Sequence, residues 1–136
     1  MRNFQISSKT PPSPSTGFGL PKGVIDAPLV HVLAQVYKSW HSCILRFPKS
    51  QRYTLAQTVS TYLLNLLELS MAAAAEIEPI QKKNNLKRAS TKLDTLRILV
   101  RLAKNCDCIS NEQYLAIESD LHTVGRMIGG WQKSLH

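Results

Sequence analysis

From residue 29 onward, apolar residues recur at alternating steps of four and three, the spacing that places one stripe along an α-helix. Leu29, Leu33, Val36, Trp40, Cys43 and Phe47 form the first stripe. Asp26 is its expected N-cap, with Pro28 in the first turn, and Pro48 ends it. A second helix is predicted to open at Ser50 and run to Pro79 on Leu55, Val59, Tyr62, Leu66, Leu69 and Ala73. A third spans about Gln81 to Asn105 on Leu86, Ala89, Leu93, Leu96, Val100 and Ala103. The fourth has the sharpest start: Ser110 and Gln113 have capping-box spacing, Ile109 can staple against Tyr114, and Ile117, Leu121, Val124, Ile128 and Trp131 continue the stripe.

No segment alternates with period two, so the fold class is all-α. Short links make consecutive helices antiparallel neighbours, and the expected architecture is an up-down-up-down antiparallel four-helix bundle over residues 27–136. Residues 1–26 hold Pro11, Pro12, Pro14 and Pro21 together with Gly17, Gly19 and Gly23. That composition predicts a flexible extension rather than a packed element.

Two helices carry more than a solitary bundle requires. Beyond its stripe, the second has Leu63, Leu64, Leu67 and Met71, followed by the run Ala72 to Ala75. So wide an apolar arc calls for a second buried face, and self-association through Leu63, Leu64, Leu67 and Met71 is the expectation. The third helix carries eight cations from Lys82 to Lys104 against one acid, Asp94. Lys83, Lys87, Arg97, Arg101 and Lys104 fall on one side of it, where like charges four apart repel. An anionic partner would offset that repulsion and release counterions on binding. Arg46, Lys49 and Arg52 add a second basic cluster at the first link, and Arg126 adds a cation on the fourth helix.

The stretch "LHTVGRMIGGWQKSL" at 121–135 places glycines inside a helix, where each costs roughly 0.5–1 kcal/mol relative to alanine. Gly125 and Gly129, four apart, make a smooth groove for a neighbouring helix of the same or another subunit. No strand precedes them and their spacing is not that of a phosphate loop.

Bulk properties narrow the function classes. A chain of 136 residues with 17 Lys and Arg against 9 Asp and Glu has a net charge of +8, a field suited to polyanions. Three cysteines cannot all pair within one chain, no apolar run reaches the ~18 residues of a membrane span, and no signal-peptide core opens the chain. The expected setting is the cytoplasm, with no membrane partner. Cys106 and Cys108 lack both zinc-site spacing and further ligands, so no metal and no cofactor is expected. No nucleophile, histidine and acid come together and no carboxylates pair on one face, so no catalytic residues and no enzyme are expected.

Three further stretches carry a family resemblance. "FPKSQRYTLAQ" before the "LLEL" helix, "KLDTLRILVRLAKN", and "ISNEQYLAIESDLHTVGRMIGGWQKS" are together similar to the four-helix proteins that include the accessory variability determinant (Avd) of diversity-generating retroelements. The similarity covers about residues 29–134, and "VGRMIGGWQKS" after "LRILVR" is its most specific part. It implies a small basic bundle assembled as a ring-like homopentamer. It also implies association with the element's reverse transcriptase, binding of RNA or DNA, and support of mutagenic reverse transcription of template RNA in bacteria or phage, with no catalytic residues of its own. The family's paired arginines match Arg97 and Arg101, the first choices for contact with polymerase or RNA. Gly125, Arg126, Gly129, Gly130 and Trp131 match elements that would be structural. The wider family also contains bundle proteins encoded in intervening sequences of ribosomal RNA genes, so the alternative reading is a structural oligomeric bundle without a retroelement role.

Overall fold

In a computed structural model, residues 27–135 are described, and they form four long helices with no strand among them. We label these α1 (Pro28–Ile44), α2 (Gln57–Ala75), α3 (Pro79–Asn105) and α4 (Asn111–Lys133). Each packs on two others: α1 and α3 both contact α2 and α4. The periodic stripes meet at the centre. Every stripe residue of α1 and α3 is buried, as are Ile117, Leu121, Val124 and Ile128 of α4. Burying each large aliphatic side chain contributes on the order of 1.5–3 kcal/mol, most of it offset by lost chain entropy.

At the closed α1–α2 end, Trp40 is fully buried and donates its indole N–H to Ser60 Oγ at 3.1 Å. Ser60 in turn donates to the Ala56 carbonyl. The Phe47 ring meets Trp40 edge-on with centroids 5.4 Å apart. A polar tip with a partner and an apolar body in the core is how tryptophan is buried at little cost.

The helix starts and stops follow local chemistry, with two departures from the sequence expectation. Asp26 lies outside the described residues, as does the rest of the 1–26 extension; the N-cap of α1 is Ala27, without a side-chain cap, and Pro28 occupies the first turn. The second helix does not open as one regular element at Ser50. A short turn, Lys49–Gln51, leads into a π-helical turn, Arg52–Ala56, before α2 begins. There Arg52 reaches back, donating from Nε to the Phe47 carbonyl at 3.1 Å and from Nη2 to the Leu45 carbonyl at 3.0 Å. A cation on the free carbonyls after a helix C-terminus satisfies acceptors the helix leaves open. On α4, the Ser110–Gln113 capping box is present in both directions.

The "CDC" sequence resolves into a helix stop. Asp107 sits in the left-handed region at φ 58°. Its N–H donates to the Lys104 carbonyl, while the Cys108 N–H donates to the Ala103 carbonyl at 2.8 Å. This is the Schellman pattern, and Cys108 and Ala103, at the two positions of its apolar contact, are both buried. Asp107 holds a conformation that glycine adopts without a Cβ penalty. Asp107→Gly is therefore expected to stabilise the domain by about 0.5–1 kcal/mol, read as a higher denaturant midpoint at unchanged slope. A lower midpoint would show that the aspartate side chain contributes more than its backbone strain costs.

Candidate nucleic-acid interface

Because α3 is wedged between α2 and α4, its core stripe divides its cations between two flanks. On the α4 flank, Arg97 donates from Nη2 to Glu118 Oε2 at 2.7 Å, the sole ion pair among the described residues. The Arg97 side chain keeps 35% of its surface exposed and Glu118 keeps 23%. The hydrogen bond that Arg97 donates to Glu118 pushes the guanidinium pKa further up, with burial opposing in part. Like any guanidinium, Arg97 is cationic. Lys104 lies on the same flank with Nζ 5.3 Å from the Tyr114 ring centre, and Lys82 lies 6.0 Å from Trp131. Arg101 is exposed and Lys83 half-buried.

On the α2 flank, Lys87 lines a cleft with Arg88, Lys92 and Tyr62, so the α3 cations do not make a single stripe. Lys92 Nζ rests 4.5 Å from the Tyr62 ring centre, a cation–π contact. Arg126 is exposed on α4. Arg52, half-buried, has its guanidinium occupied by the Leu45 and Phe47 carbonyls.

The residues assigned to self-association separate in the same way. Leu63 is 3% exposed and belongs to the chain's own core, so it is not surface available to a second copy. Leu67 packs against that core half-buried, Met71 is half-buried, and Leu64 is exposed. Gly125 serves α3 of its own chain, because a Cβ there would stand 3.3 Å from Leu93 Cδ2. Gly129 faces open space. Gly129→Ala should accordingly stabilise the isolated domain by about 0.5–1 kcal/mol from helix propensity, while Gly125→Ala gains less because its methyl group crowds Leu93. Thermal melts of the two variants check this. At concentrations where copies associate, a loss of stability in Gly129→Ala would reveal a neighbouring copy lying against that position.

Sequence spacing missed Glu118, the counterion of Arg97, and the cleft residues Tyr62, Arg88 and Lys92. Tyr53, beside Arg52 at the first link, is 82% exposed. Glu118 was findable in principle: it lies seven residues before Gly125, and so on the same flank of α4.

The sequence model of the bAvd-like family matches residues 29–135. The chain belongs to the bAvd-like family. That span takes in all four helices except Pro28, and both flanks of α3, consistent with an Avd protein. No curated protein and no solved structure matches the chain. In this bAvd-like domain, no helix among the described residues is long and apolar enough to cross a membrane. Nor do the described residues bring together three or more His, Cys, Asp or Glu side chains that could hold a metal ion.

Proposed function

We propose that this protein is a non-catalytic accessory subunit of a diversity-generating retroelement, associating with the reverse transcriptase and holding template RNA during mutagenic reverse transcription. The observation that carries the reading is a bAvd-like domain whose long central helix has eight cations between Lys82 and Lys104 and a carboxylate partner for only one of them, among the described residues. Uncompensated charge of one sign on a rigid helix gathers polyanions electrostatically with little base readout. Arg97, Arg101, Lys83, Lys104 and Arg126 are the residues proposed to meet RNA or polymerase on the α4 side, with Lys87 on the other. Arg52 has a smaller share because its donors are already used.

The architecture proposed is the up-down-up-down antiparallel bundle, supported by short links and by contacts that pair Lys82 with Trp131, Arg97 with Glu118 and Lys104 with Tyr114. In the proposed ring-like homopentamer, exposed Leu64 with half-buried Leu67, Met71 and Gly129 contributes to contacts between copies. The cytoplasm of a bacterium or a phage-infected cell is the proposed setting. The test is co-expression with a diversity-generating retroelement reverse transcriptase, co-purification, and light scattering of the free protein. A stable complex and a mass near five chains are expected. A monomer that neither retains the polymerase nor binds RNA at low salt would overturn the reading.

A further inference from the structure

The α2–α3 cleft has a chemistry distinct from the α3–α4 flank. Tyr62, Leu69, Lys87, Arg88, Thr91, Lys92 and Thr95 line a shallow, open groove of about 440 Å³. Three of these are cations, none is acidic, and none of the cations has an ion-pair partner among the described residues. Lys92 is one turn beyond Arg88, so these two positive charges raise each other's energy, and Lys87 lines the same groove. The opposite wall is flat and apolar: the Tyr62 ring, with Leu69 along the same helix. Thr91 and Thr95 donate their hydroxyl hydrogens to carbonyls one turn back, on Lys87 and Thr91. Their oxygen lone pairs therefore remain available to accept. A cationic rim, an aromatic floor and hydroxyl acceptors together match a phosphate ester carrying a sugar hydroxyl and a flat base. An acidic peptide would use the charge but leave the aromatic floor and the acceptors idle.

We propose that the α2–α3 cleft is a nucleotide subsite. Arg88 and Lys87 hold the phosphate, Lys92 moves from the Tyr62 face to join them, the base stacks on Tyr62, and Thr91 or Thr95 accepts from a ribose hydroxyl. Base–aromatic stacking tolerates any base, because every base has a π-face. The phosphate ester comes either from an RNA strand or from a free nucleotide. The first source rests on the functional reading above and the second does not.

Methyl-labelled full-length protein, observed at the Thr91, Thr95 and Leu69 methyl groups, is titrated in separate arms with a short single-stranded RNA, with uridine monophosphate and with inorganic phosphate. Saturable shifts at these methyls in the RNA or uridine monophosphate arm are expected, weakened at least tenfold in Arg88→Ala/Lys92→Gln. Circular dichroism of the variant checks that its helices are intact. Tyr62→Leu keeps the apolar wall without the aromatic ring and should weaken uridine monophosphate more than inorganic phosphate. Silent cleft methyls in all arms, or shifts that survive the double variant, overturn the proposal. RNA binding that perturbs only the α3–α4 flank overturns the subsite and leaves the accessory role standing. Uridine monophosphate bound in the cleft of a protein that ignores RNA upholds the subsite and removes template holding from the functional reading.

Discussion

Replacing Trp40 by alanine is expected to cost the folded domain about 3–5 kcal/mol, the range for emptying a large aromatic from a core. Trp40 is completely buried, stacks edge-on with Phe47 and donates to Ser60. The variant therefore leaves a void at the α1–α2 end and a ring with one face unsupported. Domains of this size have total stabilities of about 5–15 kcal/mol, so a large share of the margin disappears. A melting midpoint lowered by roughly 12–20 °C should follow, read by the helical circular dichroism signal. Trp40→Phe separates the contributions: it keeps much of the ring volume and loses the hydrogen bond, while Ser60 retains its bond to the Ala56 carbonyl. Its cost should fall well below that of alanine. If alanine were tolerated with a loss under about 1 kcal/mol, the α1–α2 end would have to collapse onto the vacancy, unlike the rigid packing described here.

The largest expected effect on binding is that of Arg97→Ala combined with Arg101→Ala. Each phosphate contact on a single strand contributes roughly 0.7 to the slope of log affinity against log salt. Removing two such contacts should flatten the slope by about 1.4 and weaken RNA binding roughly tenfold at low salt. The fold should hardly notice, because a partly exposed ion pair contributes about 0–1 kcal/mol. The companion variant is Glu118→Gln. In the free protein Arg97 is already engaged at 2.7 Å, so a phosphate has to compete with a resident carboxylate. Neutralising Glu118 should tighten RNA binding while the double arginine variant loosens it. A slope that stays the same in Arg97→Ala/Arg101→Ala would place the strand elsewhere on the molecule.

Much of the helical layout could be read from residue order, for a physical reason: one apolar side must face inward at every turn, and Leu29 to Phe47 or Leu86 to Ala103 carry that constraint without interruption. The Ser110–Gln113 box was equally legible because a capping motif is local. Leu63 was not. Its helix packs between α1 and α3, which widens the arc that counts as interior, and a one-stripe reading assigns the surplus to a partner. The widened turn at Arg52–Ala56 escaped for a different reason, since it coincides with Arg52 reaching back across the link to two carbonyls. Of the basic surface, spacing could say which helix held the cations. It could not say how α3 is rotated against its neighbours. That rotation decides that Arg97 meets Glu118 whereas Lys87 and Arg88 open onto Tyr62.

The stop signal at the end of α3 also sorts the thiols. It turns Cys108 inward, where burial pushes its pKa up, and leaves Cys106 two residues away in solvent; Cys43, likewise raised by burial, is shut inside α1. Electrophilic dyes and cross-linkers will therefore find one sulfur in the native molecule, because the reactive species is an accessible thiolate. The unaltered sequence supplies its own attachment point for a fluorophore, at the α3–α4 link, and distances to a bound strand or a second copy can be measured without adding or deleting a cysteine.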